Sequence, residues 1–173
     1  MTRKYIVVDH NPFWMDQFQS EKKLLKEVFG KAAVNIHHIG STAIPSIKAK
    51  PIIDILIEVS SLSVVDQLHT KLEELGYEAK GENGIAQRRY FQKGGVKRSH
   101  HLHCFLSDHP EVKRHLNFRD YLIAHPEKAM EYSDLKHRLS MEHDGDREAY
   151  LSGKEPLIKQ FDKEAETWSS SIK

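Results

Sequence analysis

The sequence predicts an α+β fold in which a mixed β-sheet with flanking helices is followed by a helical C-terminal half. Two β-branched runs, residues 34–39 and 52–59, are long enough for buried strands. Strand-like segments at 77–80, 85–92 and 99–106 are separated by Gly81, Gly84 and the Gly94-Gly95 turn, which suits antiparallel strands with short connections. From about residue 109 the texture changes to helical segments punctuated by Pro110, His125-Pro126, Gly145 and Gly153. No linker rich in Gly, Pro or Ser separates the two textures, so residues 1–173 read as a single domain, with the sheet core over 1–108 and the helical part over 109–173.

Taken in order, Tyr5 to Val8 have strand character, and Asn11-Pro12 then opens a helix with apolar positions at Phe13, Trp14, Phe18, Leu24, Leu25, Val28 and Phe29, ended by Gly30. The run at 34–39 leads into a small-residue turn and a basic loop, and the run at 52–59 follows. Residues 61–75 show helical spacing at Leu62, Val65, Leu68, Leu72 and Leu75 before Gly76. There is no internal repeat and no low-complexity segment.

Composition sets outer bounds. With 26 basic and 25 acidic side chains the net charge is +1, which gives no global electrostatic case for a nucleic-acid or membrane partner. Arg88, Arg89, Lys97 and Arg98 form a local basic patch, but Tyr90 and Phe91 alone give little reason to invoke nucleic acid. The single Cys104 excludes an intramolecular disulfide. The start of the chain lacks the apolar region of a signal peptide, and no run approaches the roughly 18 apolar residues of a membrane span, so the expectation is a cytoplasmic protein.

The candidate site lies where an acid interrupts an Ile-rich strand. Asp54 sits in Ile52-Ile53-Asp54-Ile55-Leu56-Ile57, where a charged side chain costs several kcal/mol unless it is paired or holds a cation. Upstream, Gly40-Ser41 forms a turn whose small residues would let backbone approach a phosphate, with Lys48 and Lys50 close in sequence. His101 and His103 form an i, i+2 pair that directs two imidazoles to one strand face, and His38 could join them. If their strand neighbours that of Asp54, the set Asp54, His101 and His103 suits zinc or another transition metal better than magnesium. The same histidines also read as hydrogen-bonded residues at a sheet end.

Five motifs carry a family resemblance: Ile39-Gly40-Ser41-Thr42-Ala43-Ile44-Pro45, Ala49-Lys50-Pro51-Ile52-Ile53-Asp54-Ile55, His101-Leu102-His103, Asn117-Phe118-Arg119-Asp120-Tyr121-Leu122, and Tyr132 with Leu135 and Lys136. In this order, over nearly the whole chain, they resemble the GrpB family. The resemblance implies a nucleotidyltransferase-like fold, whose shared pattern is a Gly-Ser turn followed by an acidic-apolar-acidic strand. This chain departs from it at Leu56. Two carboxylates at i and i+2, about 6.7 Å apart along a strand, can converge on paired metal ions, whereas Glu58 lies about 13 Å from Asp54 and reads as the solvent end of the strand.

Two functions follow as expectations. One is a metal-dependent transferase that moves a nucleotidyl or phosphoryl group, with Asp54 as the catalytic carboxylate and Mg, Mn or Zn held by Asp54, His101 and His103. The other is a catalytically inactive module of the same fold that binds a nucleotide or another anionic small molecule. In both, Gly40, Ser41, Thr42, Lys50 and Arg119 are the candidate phosphate-binding residues; later helices bring Lys136, Tyr150 and Lys154, of which the lysines add diffuse attraction.

Overall fold

A computed structural model describes residues 6–143 and 145–172. Tyr5 lies outside the described residues, and Val8 forms an isolated antiparallel bridge to Ala49 rather than a strand. The element order is α1 (Phe13–Phe29), β1 (Ala33–Ile39), β2 (Ile53–Val59), α2 (Leu62–Gln67), α3 (His69–Glu74), β3 (Tyr77–Ala79), β4 (Arg89–Lys93), β5 (His100–Leu106), α4 (Pro110–Ala124), α5 (Pro126–Glu142) and α6 (Arg147–Ser171). No helix among the described residues is long and apolar enough to cross a membrane.

The chain divides into two compact units. One comprises Phe13–Ile39 and Ile52–Lys113; the other comprises the residues up to Pro12, Gly40–Pro51 and the residues from Arg114 onwards. The first holds the whole sheet, in the order β1-β2-β5-β4-β3, with β2 and β5 parallel and every other pair antiparallel. The expected mixed sheet is therefore present.

Strand alternation sorts the side chains of this unit into two faces. Ile53, Ile55, Ile57 and Val59 are at most 1% exposed and share a face with Leu102 and Cys104 of β5, both wholly buried. Phe18 of α1 reaches that face and stacks on His38, which pairs in register with Ile55, with ring centroids 4.7 Å apart. The opposite face carries Asp54, Leu56 and Glu58 of β2, His101 and His103 of β5, and Tyr90 and Gln92 of β4. His38 therefore cannot join His101 and His103, contrary to the sequence expectation, because one step along β1 turns it to the other face.

Two expected elements are shorter than the periodicity suggests. The helix expected over 61–75 breaks at Leu68 into α2 and α3, where the Leu68 N–H is shared between the carbonyls of Val64 and Val65. The strand expected over 85–92 begins only at Arg89, because Gln87 adopts φ 66° and its N–H is held by the Glu82 carboxylate at 2.6 Å.

The second unit buries Ile44, Ile47, Tyr121, Leu122, Ala129, Tyr132, Phe161 and Ala165 together. Pro126 starts α5 at a position where a missing N–H is harmless, and the Asp146 side chain caps α6 by accepting from the Ala149 N–H at 3.0 Å. Helix α6 runs through Gly153 instead of breaking there, and it also contains Pro156. At Gly153 a Cβ would lie 2.6 Å from Leu139 of α5, so glycine serves helix contact here rather than termination.

Candidate functional site

The parallel register of β2 and β5 sets Asp54 beside His101 and Leu56 beside His103. One carboxylate oxygen, Asp54 Oδ1, lies 3.2 Å from His101 Nδ1 and 3.3 Å from His103 Nε2. The sequence expectation that these three residues converge is met in geometry. The Arg88 guanidinium, 6% exposed, lies 3.4 Å from His103 Nδ1 and sits over the Tyr90 ring at 4.8 Å. It is held there by the carbonyls of Glu82 and Asn83 at 3.0 and 2.7 Å.

These partners set the proton positions. Arginine only donates, so His103 Nδ1 accepts, Nε2 carries the hydrogen, and that hydrogen points to Asp54. An ionised carboxylate only accepts, so His101 Nδ1 donates to it as well. His101 Nε2 is then left buried, with no hydrogen-bond partner among the described residues. Surrounding protein works most strongly against ionisation of Asp54, yet the hydrogen bonds from His101 and His103 and their electrostatic pull on the carboxylate prevail and hold its carboxyl well below the usual carboxylate range. Its side chain keeps 29% exposure.

The other acids do not build a metal centre around it. Leu56 is wholly buried. Glu58 is not a solvent-facing strand end: it is 12% exposed and paired with His37 Nε2 at 2.6 Å. Among the described residues no group of three or more His, Cys, Asp or Glu side chains is arranged to hold a metal ion. Two imidazoles hydrogen-bonded to a single carboxylate oxygen, with leucine two residues along the strand, do not fit the two-carboxylate arrangement that the family resemblance implies.

The candidate phosphate-binding residues belong to the helical unit. Gly40 has φ 74° and ψ −171°, a backbone region open essentially to glycine alone, and Ser41–Ala43 forms a single 3-10 turn after it. The Ala43 and Ile44 N–H groups are already bonded to the carbonyls of Gly40 and Ser41, both at 3.1 Å, and Thr42 is 4% exposed. This turn therefore keeps two of its N–H groups for itself. Arg119 Nε donates to Asp120 at 2.9 Å.

Lys50 meets partners of a different kind. Its ammonium lies 5.1 Å from the centre of the Tyr150 ring, and that of Lys154 lies 4.6 Å from the same ring. Lys136 is 3% exposed, donates to the Lys48 carbonyl at 2.6 Å and lies 4.6 Å over Tyr132. Burial, reinforced by the charges of Lys154 and Lys50, pushes the Lys136 ammonium down to about 7. From the sequence alone Lys136 and Lys154 read as sources of diffuse attraction. Their spacing held the missing signal: Tyr132 to Lys136 and Tyr150 to Lys154 are both i, i+4 pairs, which places each ammonium beside a ring on one helix face.

A stability profile follows from Lys136. At pH well above the ordinary lysine value the group is neutral in both states and carries no penalty. Below it the unfolded chain takes up the proton first, so stability falls as pH drops towards about 7. Stability is expected to rise by about 2 kcal/mol between about pH 7 and pH 9, and Lys136→Met should remove that slope. Urea denaturation at several pH values measures both.

The family model described as GrpB protein matches residues 4–164. The chain belongs to the GrpB family. A solved structure, that of conserved protein GrpB from Enterococcus faecalis, superposes with a TM-score of 0.90 at 41% identity and covers 94% of this chain and 99% of that one. UPF0157 protein YqkA of Bacillus subtilis is 49% identical over 96% of this chain, which spans only 48% of YqkA. A dephospho-CoA kinase of Mycolicibacterium paratuberculosis is 28% identical over 95% of this chain and 47% of the kinase. This GrpB chain thus spans about half the length of both of these curated relatives.

Proposed function

We propose that this GrpB chain is a binding module for a nucleotide or related anionic metabolite in the cytoplasm, with Asp54 as the polar anchor for the part of the ligand that offers hydroxyl or amino donors. The observation that carries the reading is the state of Asp54. It is held as an anion, fixed by two imidazoles on one oxygen, and still partly exposed, so its capacity to accept hydrogen bonds is not used up. His101 Nε2, buried and unpartnered among the described residues, offers a further polar atom on the same strand face. Leu56 favours binding over metal-dependent transfer, because it fills the strand position where a second metal-holding carboxylate would be needed. The relative named dephospho-CoA kinase supports a phosphate-handling setting for a region of this kind.

A thermal-shift screen of nucleosides and nucleotides, with and without Mg²⁺ or Mn²⁺, tests the proposal. The expected result is stabilisation by several degrees that does not require metal and is reduced in Asp54→Asn. Stabilisation only when metal is present would favour the transferase reading instead. No stabilisation by any nucleoside or nucleotide would overturn both.

A further inference from the structure

Within the helical unit, three cationic side chains from three separate segments are brought to one place. Lys50 comes from the loop that precedes β2, Lys136 from α5, and Lys154 from α6. Lys50 and Lys154 both lie within about 5 Å of the Tyr150 ring centre, and Tyr150 itself is 1% exposed. Lys136 is the deepest of the three. Its hydrogen-bond partner is a neutral carbonyl, and the charges that bear on it are those of Lys154 and Lys50, both of the same sign. Holding a lysine away from water among like charges opposes folding, so an architectural role explains it poorly. The Lys48 backbone is already anchored to α5 through its N–H, which donates to Ser133 Oγ at 2.8 Å, so Lys136 is not needed to fix that segment.

We infer that Lys50, Lys136 and Lys154 form a binding site for a phosphate chain, a diphosphate or triphosphate, with the buried Lys136 as its floor. A phosphate chain carries several negative charges, and compact ammonium groups suit its oxygens without demanding the planar geometry of an arginine fork. The Lys136 ammonium lies over the Tyr132 ring, and those of Lys50 and Lys154 lie over the Tyr150 ring, so aromatic faces help to position all three charges. This site goes beyond the reading of Asp54. It uses the helical unit alone and makes no demand on the sheet.

Inorganic tripolyphosphate is the direct probe, since it carries neither base nor sugar. Titrated at constant ionic strength, it is expected to stabilise the wild-type chain saturably, where sulfate at the same ionic strength does little. Lys136→Met should bind it at least roughly tenfold more weakly while remaining as stable as wild type or more so, a combination that a purely structural lysine would not give. Lys154→Gln, at a half-buried position, should also weaken binding, and it decides the matter if Lys136→Met does not fold. Absence of wild-type stabilisation beyond that of sulfate, or undiminished binding by the variants that fold, overturns the site. Failure of tripolyphosphate leaves the Asp54 reading standing, and failure of nucleosides at Asp54 leaves this site standing.

Discussion

Leu56→Asp is expected to destabilise the chain by about 4 kcal/mol or more rather than to rebuild a metal centre. Leu56 is wholly buried on the strand face it shares with Asp54 and Glu58, and its register partners are His37 on β1 and His103 on β5. A new carboxylate there would lie between two existing ones, each two residues away on the same face, with its own hydration removed. Leu56→Asn separates charge from size. The neutral variant should lose about 2–5 kcal/mol for the missing apolar volume, and the aspartate should lose more at neutral pH. Urea denaturation measures both. A Leu56→Asp protein of near wild-type stability with raised Mn²⁺ affinity would mean that the face can still host paired carboxylates, and the transferase reading would regain its ground.

Gly94→Ala should have the second large effect, a loss of about 3 kcal/mol, read from the same denaturation curves. Gly94 has φ +102°, and a Cβ there would stand 2.4 Å from the Lys97 carbonyl oxygen and 2.8 Å from the Ser99 nitrogen. Those contacts are backbone, so no side chain can move aside. The turn sets how β4 meets β5, which pairs Tyr90 with His103 and Gln92 with His101. Damage at Gly94 is therefore expected to loosen the surroundings of Asp54 as well as to lower stability.

β1 and β2 were legible because they are dense in β-branched residues, the later strands because glycines bound them, and the acid at 54 stood out against its Ile-rich background. The convergence of Asp54 with His101 and His103 was legible only as a condition, since strand adjacency is a property of topology; the parallel β2–β5 pairing met the condition. His38 was misplaced because adjacent histidines on a strand point to opposite faces, and only register shows which one faces the acid. Gly153 reads as a helix break because its local propensity opposes helix. Tertiary packing overrides this, with Gly153 giving Leu139 room against α6. Glu58 looked solvent-facing because its partner His37 is 21 residues away in sequence. Lys136 was hidden for the opposite reason: lysine is so rarely buried that sequence reasoning assigned it to the surface.

The central claim is that Asp54 recognises a nucleotide without a metal. Isothermal titration of the nucleotides that stabilise the chain, carried out in excess chelator on wild type and Asp54→Asn, tests it most directly. The account predicts saturable binding by the wild type and binding at least about tenfold weaker in the variant. Heat that appears only after divalent metal is restored, or equal affinity in the two proteins, would contradict it.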